Sequence, residues 1–210
     1  MPFAVAAGDS CLTSGGGFCT SLKFWWYLAW PSEIVQRTKL HLPDDKAGNF
    51  ISINCLEFIS IIINYTATYT VLTSEVPTDD PFPVLLDMSD NISATRWTNH
   101  ACKESLGGRA LGRLLCMLLV NSRLGINAKW LSTTENEIAN KISRLKRESE
   151  NSHFDFSSLQ QRFQELKDCR RFQPSPELLS LTYRCVLNQK SPGLKEIQKM
   201  KLKGLGRLTT

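Results

Sequence analysis

The chain has 210 residues, 42% of them apolar and 21% charged, with a net charge of +5. That length and composition allow one average domain with a real core plus an extension, and they argue against a disordered chain. The charge is lopsided: residues 1–144 carry 12 Lys/Arg against 13 Asp/Glu, and residues 145–210 carry 13 against 7. A basic extension beside a near-neutral domain favours a polyanionic partner, the bland alternative being a solvated helix and linker.

Seven cysteines are scattered without a C-x-x-C pair or a histidine at finger spacing, which argues against a zinc site. They read as reduced thiols of an intracellular protein, with nucleus and cytoplasm left open. No basic start with a long apolar run opens the chain, so no secretory signal is predicted. Glycosylation tripeptides at Asn64 and Asn91 fall where ordered structure is expected and are discounted.

Phe3 to Gly8 is short and apolar, the pattern of a strand presenting Asp9 at its end. Ser14-Gly15-Gly16-Gly17 reads as a turn. Phe18 to Leu22 and Lys23 to Trp30 read as two more strands, closed by Pro31, so the first three strands form an antiparallel meander. Residues 32–50 read as a surface connection. A helix is predicted over Ile53 to Thr70, although β-branched residues leave a strand as the competitor over Ile59 to Tyr65. The apolar stretch Ile51 to Leu72 is about as long as a membrane span, but Asn54, Glu57 and Asn64 favour a buried helix, and no membrane partner is predicted.

Pro83 to Met88 has a buried-strand pattern, and Ser89-Asp90-Asn91 ends it, with Asn91 or Asp90 capping a helix over Ile92 to Lys103. Gly107-Gly108 predicts a break. An apolar helix follows over Arg109 to Leu124, stopped by Gly125, then a strand over Ile126 to Leu131. Thr134 is placed to cap a helix over Glu135 to Arg147. The order β-β-β-α-β-α-α-β-α predicts an α/β domain over residues 1–147: a mixed five-stranded sheet flanked by helices. Residues 148–210 read as a basic, partly helical and partly disordered extension. Within it, helices are predicted at Gln160 to Lys167 and Glu177 to Leu187, a break at Arg170 to Pro176, and a flexible connector at Lys190 to Arg207.

Asp9, Glu57, Asp90 and position 140 converge at one edge of this topology, with Asp87 the rival to Asp90. Phosphodiester hydrolysis wants an activated water and a stabilised leaving oxygen, which two Mg²⁺ about 4 Å apart supply. Such hard cations take oxygen ligands, and acids crowded together without one repel each other and hold their protons. The aromatic run Phe24 to Trp30 either stacks nucleic acid or fills the core, and its alternation favours the core.

The local words strengthen the pattern. Gly8-Asp9-Ser10 with Gly15-Gly16-Gly17-Phe18, Asn54-Cys55-Leu56-Glu57-Phe58, Ser89-Asp90-Asn91, and Glu135 to Arg144 resemble, in the same order, four motifs of retrotransposon ribonuclease H domains. The last resembles the closing pattern Asn-x-x-Ala-Asp-x-Leu-Ser-Arg. The resemblance covers about residues 3–147. It implies a ribonuclease H-like fold and metal-dependent hydrolysis of the RNA strand of an RNA–DNA hybrid, leaving a 3′-hydroxyl and a 5′-phosphate. It also implies two Mg²⁺, or Mn²⁺, held by Asp9, Glu57 and Asp90. Where the family has its fourth Asp, this chain has Asn140. Activity is therefore expected to be weakened or lost, and an inactive remnant would act at most as a nucleic-acid-binding or structural module. Glu137, one turn earlier, is the candidate substitute. Phe172 to Leu178 resembles the connector that follows this segment in retrotransposons of fungi and oomycetes carrying a tyrosine recombinase. The expected partners are thus an RNA–DNA hybrid or other nucleic acid, and the polymerase and recombinase parts of the same polyprotein. No polymerase palm motif or recombinase segment is recognisable, so a fragment or decayed copy is expected.

Overall fold

Residues 1–39, 50–75, 82–103, 105–145, 156–193, 196 and 204–209 are described by a computed structural model of the chain. Strands β1 (Ala4–Ser10), β2 (Ser14–Cys19) and β3 (Phe24–Ala29) form the antiparallel meander. After helices α1 (Ser32–Lys39) and α2 (Ile53–Ser74), strand β4 (Val84–Ser89) lies parallel to β1. After α3 (Ile92–His100) and α4 (Leu106–Val120), β5 (Gly125–Trp130) lies parallel to β4. Then come α5 (Glu137–Ser143), α6 (Phe156–Arg162), a 3-10 turn at Gln164–Leu166, β6 (Arg170–Pro174), α7 (Pro176–Leu187) and β7 (Gly206–Thr209).

The sheet is mixed, ordered β5-β4-β1-β2-β3-β6-β7, and has seven strands rather than the five read from the sequence. The two missed strands come from segments read as a break and a connector. β6 pairs with β3 in parallel, and β7 pairs with β6 antiparallel. β6 was illegible because it is five residues long, opens on two arginines, ends on Pro174 and buries only Phe172. Short, charged, proline-ended strands belong near sheet margins, where little hydrophobic period is required.

Each face of the sheet carries its own core. One buries α2, with Phe24 and Trp26 of β3, Leu111, Leu114 and Leu118 of α4, and Leu178, Cys185 and Val186 of α7. The other gathers Ile142 of α5, Leu159 of α6 and Leu166 against Phe18, Trp25 and Tyr27. The aromatic run is thus divided between the faces by the two-residue period of a strand, and Trp25 stacks on Phe156 at 3.6 Å between ring centroids.

The glycine run lies inside β2, and the chain reverses instead at residues 20–23, where Lys23 takes a positive φ of 55°. Glycine is needed in the strand for close approach. A Cβ on Gly16 would lie 2.6 Å from Ile142 Cγ2 and 2.7 Å from the Ser143 backbone nitrogen, so α5 could not settle there on any larger residue. Gly107 and Gly108 likewise sit inside the first turn of α4 rather than breaking it. Ser105 Oγ caps that helix by accepting from Gly108 N–H at 3.0 Å. The helix ends at Val120, and Gly125 opens β5.

α1 occupies part of the predicted surface connection, burying Ile34 and pairing Glu33 with Arg37 at 2.7 Å; residues 40–49 fall outside the described residues. α2 is helical throughout, including Ile59 to Tyr65, so packing on all sides overrides the weak propensity of its β-branched residues. By length and composition α2 could cross a membrane, yet 83% of its most apolar window is buried inside the fold. α5 is shorter than expected: turns occupy 133–136 in place of a cap at Thr134, and 146–147 lie outside the described residues. None of the seven cysteines is in a disulfide. Of the two glycosylation tripeptides, Asn64 is fully buried and Asn91 caps α3.

Candidate metal centre

β1 and β4 are parallel neighbours, with Ala7 opposite Met88. Two residues further on, their ends bring Asp9 and Asp90 side by side. α2 packs on β1 and brings Glu57 to the same place; the Ser10 N–H donates to Glu57 Oε1 at 3.1 Å, and the Ser10 and Ser60 hydroxyls meet at 2.7 Å. One carboxylate oxygen from each of Asp9, Glu57 and Asp90 lies within 4.8 Å of the others.

Asp9 and Glu57 are 3% and 4% exposed, and Glu57 Oε2 is buried with no hydrogen-bond partner among the described residues. Burial, then the neighbouring Asp9 charge, pushes the Glu57 carboxyl well above its usual range. Burial also raises Asp9, against the lowering pull of the Ser143 hydroxyl and the Arg144 guanidinium. Three acids, two of them held at raised pKa and one with an orphaned oxygen, fit a divalent cation: it would satisfy that oxygen and relieve the mutual repulsion. The all-oxygen donor set suits a hard ion such as Mg²⁺ or Mn²⁺.

Asp87, the rival to Asp90, is elsewhere. It is fully buried, and neither carboxyl oxygen has a partner of hydrogen-bonding geometry. Burial lifts its pKa well above the usual range, only partly offset by the nearby Asn64 side chain. Asn91 caps α3 by accepting from Ala94 N–H at 2.9 Å, and its Nδ2 donates to Asn54 Oδ1 at 2.9 Å, which ties the end of β4 to the start of α2.

Helix α5 closes the centre from the opposite face. Asn136 Nδ2 donates to Gly8 O at 3.0 Å, and the Ser143 hydroxyl donates to Asp9 Oδ2 in a very short contact. Ser14 Oγ in turn donates to Ser143 O at 2.6 Å. Arg144 Nη1 lies 3.4 Å from Asp9 Oδ2 and donates to Asn140 O at 2.9 Å and, more tightly, to Asn140 Oδ1. The Asn140 amide nitrogen donates back to Asn136 O at 3.1 Å and Thr133 O at 3.3 Å. Asn140 is therefore bound within its own helix, with Arg144 between it and Asp9. Glu137 is exposed and paired with Arg162 at 2.6 Å, outside the carboxylate cluster.

Asn136, Ser143 and Arg144 all stand in the closing motif, but nothing in their spacing said that two of them would hold Asp9. A cleft of about 410 Å³, lined by Thr133, Thr134, Glu137, Asn140, Lys141 and Arg144, opens beside them. A larger cavity of about 530 Å³ beside β3 and β6 contains none of the carboxylates. In the basic third of the chain, Arg162, Arg170 and Arg184 are paired with Glu137, Glu75 and Glu196, so part of its charge is spent within the fold. No family model matches the chain, and no curated protein matches it.

Proposed function

We propose that the chain is a ribonuclease H-like domain of a retroelement polyprotein and that it cleaves the RNA strand of an RNA–DNA hybrid with the help of divalent metal. The observation that carries this reading is the meeting of Asp9, Glu57 and Asp90 within 4.8 Å, with Glu57 Oε2 buried and unpartnered. The strand order β5-β4-β1-β2-β3, a meander continued by two parallel strands, supports it. So does the position of the four motifs, each beside or facing that centre.

Divalent metal held by Asp9, Glu57 and Asp90 would supply charge stabilisation for the leaving oxygen and an activated water. The protein's own part is positioning. Ser143 orients the Asp9 carboxylate, the Ser10 N–H fixes one oxygen of Glu57, and Asn136 ties α5 to the end of β1. Arg144 lines the cleft next to Asp9 and offers a cation to the phosphate backbone. A hybrid duplex is recognised by backbone shape and 2′-hydroxyls rather than by sequence.

The test is hydrolysis of an end-labelled hybrid in Mg²⁺ and in Mn²⁺. Cleavage leaving a 3′-hydroxyl is expected, and Asp9→Asn with Asp90→Asn abolishes it; cleavage that persists in that double variant overturns the site assignment. The second reading, a catalytically inactive binding or structural module, is favoured by the neutral Asn140 and the guanidinium on Asp9. It predicts hybrid binding without cleavage in either metal, and recovery of cleavage in Asn140→Asp.

A further inference from the structure

Resting on that reading of the centre, we propose that it takes one divalent cation rather than two, with the Arg144 guanidinium standing where the second would sit. Asp9 Oδ2 already accepts from the Ser143 hydroxyl and faces Arg144 Nη1 at 3.4 Å. Asn140 Oδ1, the oxygen that would serve a second ion in place of the family's carboxylate, accepts from the same guanidinium, and its Nδ2 donates to the carbonyls of Thr133 and Asn136 in the turn before α5. The α5 side of the centre thus presents N–H and O–H donors and a fixed positive charge. A divalent ion there would meet like charge at short range in a partly desolvated place.

The opposite side is different. Glu57 Oε2 is buried without a hydrogen-bond partner among the described residues, and one carboxylate oxygen from each of Glu57, Asp90 and Asp9 lies within 4.8 Å of the others, so the three acids make one oxygen-lined position. The charge agrees. Three carboxylates less one guanidinium leave two negative charges, which one divalent cation neutralises and two would overshoot.

Mn²⁺ binding to the full chain, followed by calorimetry and electron paramagnetic resonance, tests this. The count is made alone and again with a hybrid whose RNA strand is 2′-O-methylated against cleavage. One Mn²⁺ per chain with an uncoupled six-line spectrum is expected in both cases. Glu57→Gln removes it, and Arg144→Gln binds it about tenfold tighter because a nearby positive charge is gone. Asn140→Asp combined with Arg144→Gln admits a second ion, seen as a spin-coupled pair. Two ions in the unmodified chain overturn the one-ion proposal and leave the nuclease reading standing. No ion at all overturns both. Unchanged affinity in Arg144→Gln removes Arg144 from the role. Arg144 has 35% of its side chain exposed, so its replacement does not hollow a core, and the count on the unmodified chain stands without any variant.

Discussion

Asp87 and Glu57 are both buried acids with raised pKa values, but only one lies where a cation would help it. Asp87 lies outside the carboxylate cluster, and among the described residues its oxygens have no partner of hydrogen-bonding geometry. Its folded-state pKa exceeds the unfolded value of about 3.9, so the folded state holds the proton more tightly. Stability is then greatest below the unfolded value and falls as pH rises toward the folded one. Asp87→Asn removes that fall. In melting curves from pH 4 to 8 the variant should gain on the parent chain steadily with pH; a constant difference would mean the carboxylate is charged and partnered. Glu57 slopes the same way in the metal-free protein, since burial and Asp9 both raise it. A bound cation reverses the sign there, so Mn²⁺ affinity should climb as pH rises through the usual carboxyl range and beyond it. Affinity that is flat in pH would show that Glu57 is not a ligand. Ser143→Ala takes the hydroxyl from buried Asp9 and should cost roughly 1–3 kcal/mol in urea unfolding at neutral pH. The carboxylates were legible through the short motifs around them, since an acid at a strand end is by itself unremarkable. Arg144 reaches Asp9 across 135 residues of chain, and no spacing rule encodes that partnership.

Among the elements, α2 and β4 were legible from continuous apolar runs bracketed by turn residues, although the β-branched residues of α2 left a strand as competitor over Ile59 to Tyr65. The glycines were misread because the same residue serves two physical ends, reversal of the chain and close approach of a neighbour. β2 uses the second. Gly16 faces α5 and is paired with Asp9 across the strands, so the residue that admits α5 also sets how closely Ser143 and Arg144 approach the carboxylate. Gly16→Val should therefore do two things. It should destabilise the fold by about 1–3 kcal/mol, the usual cost of forcing bulk into a packed place. It should also change Mn²⁺ affinity, because the backbone at Ser143, which sets the approach of both Ser143 and Arg144 to Asp9, must move. Calorimetry on the variant under conditions where circular dichroism shows it folded separates the two effects. Unchanged metal affinity would mean that α5 is not what positions Asp9.

At the scale of the molecule, the boundary near residue 147 is the sharpest test of how the parts depend on each other. Composition changes there, and the sequence suggests a domain followed by a basic tail. Yet Phe172 packs at a tilt on Phe24 with ring centroids 6.5 Å apart, and Leu178, Leu181, Cys185 and Val186 are buried in the core that holds α2 and α4. Leu159 and Leu166 fill the core on the other face beneath Phe18 and Trp25. Cutting the chain after residue 147 strips apolar cover from both faces and leaves β3 an open edge, the feature that invites strand pairing between molecules. The shortened chain should bind a hydrophobic dye, sediment as aggregates at micromolar concentration, and lose the cooperative melting transition. Nine residues buried in the two cores lie beyond residue 147, six of them Leu or Phe, and the apolar side chains they cover in the first unit are left facing water. A monomeric 1–147 that melts with the full chain would show the opposite, that the first unit is self-sufficient and that β6, β7 and α7 merely dock onto it.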